Sequence, residues 1–348
     1  PVGGAYFQNF NRNKRSIALD LKSKEGLQIA LDLCSKADVF LENFLPGAMN
    51  RLGLGYEAIS KLNPSIIYAS VSGFGQDGAQ AKRPAFDPAI QALSGFMDSM
   101  GEADRPPVRT RTAMIDYSAG TTMAFAVAAA LFRRAKEGAG EHIDIALMDI
   151  GLYAMSPYVT YYKSHGITIP RTGSAHPDMA PNQSFKVRDG YIYIAATSDR
   201  MWRGLCQLLG IESVAEDPRF LTPSARSKNA TVLIDTISPV IASQDGVQFE
   251  EQLLAAGIPC GRVRTVAEVS EDPYLDARGM FEVAEGWNKK GELKAMKTPV
   301  RLSGVSSPLR RSAPGLGEHT AEILAELGYQ AADIESLAQK KVILGGKQ

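Results

Sequence analysis

The sequence has few cysteines and no excess of charge of either sign. Its 348 residues include three cysteines, and 38 basic residues balance 38 acidic ones. Three widely spaced thiols argue against a disulfide framework and a zinc cluster, and favour buried free thiols in a reducing compartment. A net charge of zero gives no basis for a broad nucleic-acid surface or a polybasic membrane anchor. We therefore expect a cytoplasmic protein without a nucleic-acid partner.

Long apolar runs are also missing. None reaches the ~20 residues that a membrane-spanning helix needs. The longest, MAFAVAAALF at 123–132, ends at Arg133 and Arg134 and predicts a buried helix. A secretory signal peptide is not visible either. We therefore expect no membrane partner.

Familiar catalytic signatures are absent as well. The four histidines, His142, His165, His176 and His319, have no His, Cys or Asp neighbour at metal-ligand spacing. There is no Gly-x-Ser-x-Gly elbow, so a hydrolytic triad is unsupported. The glycine-rich stretch SGFGQDG at 72–78 lacks the Lys-Ser/Thr of a P-loop and the spacing of a dinucleotide fingerprint. It fits a simple connection, or a loop that lets a ligand approach the backbone closely.

The first 150 residues alternate strands and helices. We predict strands at 16–21 (SIALDL), 38–44 (DVFLENF), 65–72 (SIIYASVS) and 141–147 (EHIDIAL), helices at 23–37 and 117–136, and a helical or turn-rich stretch at 48–63. Such alternation implies a parallel sheet with helices on its faces. Ligands bind at the carboxyl ends of such strands. Glu42–Phe44 and Ser72–Gly75 lie at two of these ends.

A different pattern begins near residue 180. It predicts a hairpin at 185–196 with its turn at Asp189-Gly190, an amphipathic helix at 199–210 and a polar loop at 216–229. A helix from 249 is stopped by Gly257 and Pro259 and is followed by a strand, and two short helices lie within 319–343. The stretch 180–280 is therefore predicted to be a smaller α+β domain.

Asp149 lies in the apolar run LMDIGLY at 147–153, whereas Asp144 fits an alternation that turns it to solvent. If the strand ends near Leu147, Asp149 lies at the junction with the next helix. Two interpretations stay open on residue logic. Asp149 is either a helix N-cap, or a carboxylate nucleophile in a mostly apolar, partly desolvated cleft.

A basic cluster, NRNKRS at 11–16, is followed by Lys22. It contains Arg12, Lys14 and Arg15. The cluster is either a solvated surface or a site that holds an anionic ligand. The same two interpretations apply to Arg51, Arg83, Arg109 and Arg111.

Stretches along essentially the whole chain resemble one family, the class III CoA-transferases (CaiB/BaiF). They are NRNKRSIALDLKSKEG, DVFLENFLPGAMNRLGLGYE, SVSGFGQDG, RPAFDPAIQALSG, GAGEHIDIALMDIGLY, DGYIYIAATSDRMWRGLC, DPRF, DPYLDARGMF, TPVRLSG and LGEHTAEILAELGY. The run Glu42–Phe44 followed by Pro46-Gly47, with Asp149 in its place after a strand, is the most specific part of this resemblance.

The resemblance implies a CoA-transferase of the EC 2.8.3 type, in which the nucleophile is Asp149. It implies an aspartyl-CoA thioester reached through mixed anhydrides, with acyl-CoA and a small carboxylic acid as substrates, no metal ion and no tightly bound cofactor. It places along the CoA site the positions Leu19, Lys22, Asn43, Phe44 and Arg51, and we add Arg15, Gly73 and Gly75 from the basic cluster and the glycine loop.

For the fold, the resemblance implies a Rossmann-like large domain over 1–175, the small domain over 180–280, and a segment over 285–348 that returns to the large domain. Two chains are expected to interlock as a homodimer. Family members begin with a glycine-containing strand and helix that supply part of the CoA pocket. This sequence does not contain them, so we expect one sheet strand fewer if the molecule also lacks them.

Two further departures bear on the reaction. Ala85-Phe86-Asp87 stands where the family has Gly-Tyr-Asp, and the Gly-Gly-Gly-rich loop of formyl-CoA transferases is not found. The related α-methylacyl-CoA racemases use a histidine that would align with Phe86, and phenylalanine cannot shuttle protons. A transferase is therefore favoured over a racemase-like enzyme. A non-catalytic CoA-binding remnant is the alternative outside enzymes.

Overall fold

The computed structural model describes residues 4–285, 291–305 and 308–344. The chain divides into two compact units. Unit 1 comprises Pro1–Phe86, Met114–Ile150 and Ser270–Gln348, and unit 2 comprises Asp87–Ala113 and Gly151–Val269. The segments 87–113 and 151–175, which the sequence places in the large domain, thus cluster with unit 2.

The described strands, in chain order, are β1 (Val39–Glu42), β2 (Ile67–Ser72), β3 (Glu141–Ala146), β4 (Asn182–Val187), β5 (Gly190–Ala195), β6 (Cys260–Arg262), β7 (Phe281–Glu285) and β8 (Glu292–Met296). The described helices are α1 (Ala5–Asn11), α2 (Lys24–Lys36), α3 (Ala48–Arg51), α4 (Tyr56–Leu62), α5 (Asp87–Leu93), α6 (Met114–Glu137), α7 (Leu147–Ala154), α8 (Ser156–His165), α9 (Asp199–Leu209), α10 (Glu212–Ala215), α11 (Pro223–Lys228), α12 (Ala230–Ala242), α13 (Gly246–Ala255), α14 (Val266–Ser270), α15 (Pro273–Ala277), α16 (Thr320–Leu327) and α17 (Ala331–Gln339).

Unit 1 is built on a parallel sheet in the order β1-β2-β3, which confirms the predicted mixed α/β architecture. The central strand β2 is almost fully buried, including its two serines, Ser70 and Ser72. Helix α2 begins where the Ser23 hydroxyl accepts the Gly26 N–H, a standard N-cap. The carboxyl ends of the three strands share one edge of the sheet, where ligands bind in parallel sheets.

The prediction of a strand at 16–21 is wrong. This segment is extended, but Leu19 forms only an isolated bridge with Ile343. Several of its backbone groups bond to the C-terminal segment instead; Asp20 N–H, for example, donates to the Val342 carbonyl at 2.8 Å. The apolar alternation is real, and its partner lies over 300 residues away in sequence rather than in the sheet.

Helix α6 differs from its prediction. Only Ile115, Ala119, Met123 and Ala130 are buried along its 24 residues, so the run 123–132 is not a buried helix. Phe125 is 75% exposed and Phe132 is 65% exposed. By length and composition α6 could cross a membrane, which is weak evidence because core helices of soluble proteins pass the same test. One face packs on β2 and β3, Tyr117 packs edge-on against the Phe10 ring of α1, and most of the remaining residues are exposed.

Unit 2 contains the predicted hairpin, β4 and β5, which β6 extends as an antiparallel sheet. The amphipathic helix is confirmed as α9, which buries Trp202, Leu205, Cys206 and Leu209 at the spacing of one helix face. The predicted polar loop at 216–229 is partly wrong because it contains α11. The Thr222 hydroxyl caps this helix and Pro223 occupies its first turn, a start signal that is visible in the sequence.

Candidate active site

The loop that follows β1 presents two predicted CoA-site residues. Asn43 Nδ2 donates to the Val71 carbonyl of β2 at 2.9 Å, which ties the loop to the centre of the sheet. Phe44 is 58% exposed. A large exposed aromatic beside a fixed amide suits a ligand that carries both a ring and polar groups.

The glycine loop after β2 needs two of its glycines for physical reasons. Gly75 adopts φ +89°, in the left-handed region that side chains disfavour. At Gly73 an added Cβ would lie 2.9 Å from the Ala85 Cβ, which is too close. The Gly73 carbonyl accepts the Met148 N–H at 3.0 Å, so this loop is joined to the start of α7.

Asp149 follows Met148 in the first turn of α7, directly after β3. The helix begins at Leu147 without a linker, so the N-cap interpretation is wrong: Asp149 is the third residue of the helix. Its side chain is exposed rather than partly desolvated. Within residues 4–285, 291–305 and 308–344 its carboxylate has no hydrogen-bond or ion-pair partner. A helix N-terminus stabilises such an anion through the aligned backbone dipoles.

A cavity of about 850 Å³ lies at this edge of unit 1. Its wall includes Val39, Leu41, Asn43, Phe44, Val71, Ser72, Gly73, Arg83, Phe86, Asp116, Gly120, Met123 and Leu147. Three predicted CoA-site residues, Asn43, Phe44 and Gly73, therefore meet here. The contribution of α6 was missed by the sequence analysis, which treated that helix as core. The buried Ser72 hydroxyl has no hydrogen-bond partner in the described chain.

The other predicted CoA-site residues lie elsewhere. Leu19 and Arg15 line a second, largely apolar cavity of about 750 Å³, which Phe44 also borders. The Arg15 guanidinium is held by Glu322 at 2.7 Å and Glu326 at 2.6 Å, and these carboxylates raise its pKa.

Lys22 and Arg51 are exposed, and an Arg51 nitrogen approaches Gly47. Gly75 is a buried residue of the glycine loop, next to Asp144.

Other side chains that could act as nucleophile or base are less suitable than Asp149. Burial raises the pKa of Cys34 to about 11 and that of Cys206 to about 12, so both thiols stay protonated near neutral pH. His142 lies on β3 with its Nε2 at 3.1 Å from the Ser70 hydroxyl. The exposed Phe86 ring carries no ionisable proton. The described residues contain no cluster of three or more metal-ligating side chains.

Comparison with known proteins assigns the chain to a family. The sequence profile of CoA-transferase family III matches residues 2–320. The chain belongs to this family. It is 37% identical over 339 residues to an acyl-CoA transferase of Fusarium pseudograminearum, covering 97% of this chain and 74% of the relative. It is 36% identical to the acetyl-CoA:oxalate CoA-transferase of Acetobacter aceti, covering 94% of this chain and 83% of the relative.

A solved structure shares this architecture. A CAIB/BAIF family protein from Brucella suis superposes with a TM-score of 0.83 at 38% sequence identity, covering 93% of this chain and 84% of that chain. The predicted family is thereby confirmed, and so is its enzyme class. This family III CoA-transferase accordingly uses CoA thioesters as substrates.

Proposed function

We propose that this family III CoA-transferase moves CoA from an acyl-CoA donor to a small carboxylic acid through covalent chemistry at Asp149. One observation carries the proposal: an exposed carboxylate without an internal partner sits in the first turn of α7, joined through Met148 to the glycine loop that walls the 850 Å³ cavity. Carboxylates act as covalent nucleophiles when they are ionised and accessible.

The proposed reaction has four bond exchanges. The Asp149 carboxylate attacks the thioester carbonyl, which forms a mixed anhydride and expels CoA thiolate. The thiolate attacks the Asp149 carbonyl of the anhydride, which gives an aspartyl-CoA thioester and releases the donor acid. The acceptor carboxylate attacks this thioester, which forms a second anhydride and expels the thiolate again. The thiolate then attacks the acceptor carbonyl, which releases the new acyl-CoA and regenerates Asp149.

The cavity walls fit this sequence of steps. The apolar side chains Leu41, Met123 and Leu147 in the wall suit the apolar part of an acyl-CoA. Arg83 adds a positive charge to the wall, which would attract the donor or acceptor carboxylate. A panel of CoA esters and carboxylic acids, including oxalate, read by mass spectrometry tests the proposal. New acyl-CoA products are expected without exchange of the α-proton in heavy water, whereas exchange without transfer would mark a racemase.

The CoA site is proposed to include Leu19, Lys22, Asn43, Phe44, Arg51, Arg15, Gly73 and Gly75. Arg51 and Lys22 are the exposed cations in this set that no ion pair engages in the described chain. We expect Arg51→Ala to raise the Kd for CoA about tenfold, equal to ~1.4 kcal/mol, because a phosphate contact is lost. Lys22→Ala and Asn43→Ala should act in the same direction in titration calorimetry.

Lys61→Ala is the control, because Lys61 is an exposed cation in the last turn of α4. It should leave the affinity for CoA unchanged. If all three site variants bind CoA as tightly as the parent, this placement of the CoA site is incorrect.

A homodimer is proposed as the functional state. Helix α8 of unit 2 buries none of its residues, although it carries Tyr158, Val159, Tyr161 and Tyr162. In unit 1 the exposed face of α6 carries Phe125 and Phe132. Apolar patches of this kind on soluble proteins mark interaction surfaces. A second copy of the chain covers both faces without requiring any other partner.

We expect sedimentation to show a dimer that persists on dilution to nanomolar protein, since an interface between interlocked chains dissociates slowly. Backbone amides in the middle of α8 should exchange slowly with heavy water, despite their exposure in the single chain. A monomer at all concentrations, with fast exchange in α8, would rule out this arrangement.

The cytoplasm is the proposed location. Cys34, Cys206 and Cys260 are all free thiols, as expected in a reducing compartment. The apolar face of α6, which is the only feature of the described chain that suggests a membrane, is assigned here to the dimer.

A further inference from the structure

Three polar side chains form a row across one face of the unit 1 sheet. Glu42 of β1, Ser70 of β2 and Asp144 of β3 are register partners. Successive strand residues point to opposite faces. Because Leu41 and Val71 line the 850 Å³ cavity, the polar row lies on the opposite face. Its two carboxylates therefore do not act inside the cavity.

Each carboxylate of the polar row accepts a backbone N–H from a loop at the carboxyl end of the sheet. Glu42 is buried, and its Oε2 accepts the Phe44 N–H at 2.8 Å. Asp144 Oδ2 accepts the Gln76 N–H at 2.9 Å. Hydrogen bonds to a carboxylate are roughly twice as strong as neutral ones. Each carboxylate thus fixes the path of one loop.

These two loops build the candidate active site on the other face. The first carries Asn43 and Phe44 into the cavity. The second packs closely on Asp144, since a Cβ on Gly75 would lie 3.4 Å from Asp144 Oδ2. Through the bond from Met148 N–H to the Gly73 carbonyl, the second loop also sets the start of α7, one residue before Asp149.

We propose that Glu42 and Asp144 are positioning residues on the face of the sheet opposite the 850 Å³ cavity. Glu42 holds the loop that follows β1, and Asp144 holds the glycine loop and, through it, the nucleophile Asp149. This deepens the proposed function and rests on it. Glu42 acts on CoA binding, because the turn it fixes presents Asn43 and Phe44. Asp144 acts on the chemical step, because the loop it fixes is joined to the turn that carries Asp149. Neither residue contacts the substrate.

Alanine and amide variants separate this role from simple packing. Asp144→Ala and Glu42→Ala remove the acceptor oxygen, whereas Asp144→Asn and Glu42→Gln keep a carbonyl oxygen that can accept the same N–H. A misplacement of about 1 Å costs about 100-fold in rate, so we expect a loss of that order in kcat for Asp144→Ala with little change in KM. For Glu42→Ala we expect mainly a rise of about tenfold in the KM for acyl-CoA. In the amide variants, kcat and KM should lie within about threefold of the parent values.

Ser70→Ala is the matched control. Ser70 is buried in the same polar row, but its hydroxyl contacts His142 rather than a loop. This variant should keep the parent kcat and KM, even where its thermal stability falls.

Asp149→Asn is assayed beside the other variants. If it keeps the parent rate, the covalent mechanism fails, whatever the alanine variants do. If it is inactive while both alanine variants keep the parent kcat and KM, the positioning proposal alone is overturned. Equal losses in the alanine and amide variants also overturn it. Where an alanine variant does not fold, Asp144→Glu or Glu42→Asp moves the carboxylate by one methylene, and the same split between kcat and KM is expected.

Discussion

Asp149→Asn is expected to fold with near-parent stability, to bind CoA, and to lose CoA transfer by about a thousandfold or more, equal to at least ~4 kcal/mol of barrier. Asn resembles Asp in size and hydrogen bonding, but its amide is a far poorer nucleophile. The exposed side chain has no partner in the described chain whose loss would unfold α7. The measurements are steady-state transfer rates, CoA titration and thermal unfolding.

Trapping shows where the intermediate forms. Acyl-CoA followed by hydroxylamine or borohydride should modify the parent at Asp149, as read by peptide mass spectrometry, and leave Asp149→Asn unmodified. Asp235→Asn, an exposed change on α12, should transfer CoA and be trapped like the parent. A residual rate above roughly a tenth of the parent would mean that less than ~1.4 kcal/mol of the barrier depends on Asp149, which rejects it as the nucleophile.

Arg226→Ala is expected to lower the free energy of unfolding of unit 2 by about 3 kcal/mol. Arg226 is fully buried, and its guanidinium donates to Asp199 at 3.0 Å and to the carbonyls of Phe220 and Thr197 at 3.1 and 2.8 Å. The alanine leaves both carbonyls without their donor and opens a cavity beside the Trp202 ring. Urea unfolding followed by fluorescence measures the loss.

Arg219→Ala is the control for this change. Arg219 also pairs with a carboxylate, Asp217, at 2.7 Å, but its side chain is 56% exposed. Solvent weakens such surface pairs, so the expected loss of stability is much smaller than that for Arg226→Ala. Similar losses in the two variants would show that the buried donors of Arg226 contribute no more than a surface ion pair.

The sequence predicted best the elements whose cause is local. The hairpin of β4 and β5 and the helix-spaced apolar face of α9 both lie within a few residues of the signals that define them, although the hairpin turn is at Arg188-Asp189, one residue before the predicted Asp189-Gly190. Helix α11 was missed although its Thr-Pro start is local, because the polar composition of 216–229 was given more weight than this capping signal.

Long-range pairing explains the remaining differences. Nothing in SIALDL reveals that its one bridge partner is Ile343. The place of Asp149 was predicted within two residues, and the error arose because β3 and α7 adjoin without a linker. Asp144 is exposed, as its alternation in the sequence predicts. Its contact with the Gln76 N–H depends on the path of a loop from another strand, which no periodicity encodes.

The route of the chain through unit 1 has a consequence for its synthesis. Ile29 of α2 packs against Leu324, Leu337, Val342 and Ile343, and Arg15 pairs with Glu322 across 307 positions of sequence. At typical elongation rates the ribosome needs roughly 15–60 s to make that intervening chain. Until then the apolar face of α2 has no cover from its own C-terminal segment. A nascent chain of this protein therefore presents a chaperone-binding surface for most of its translation.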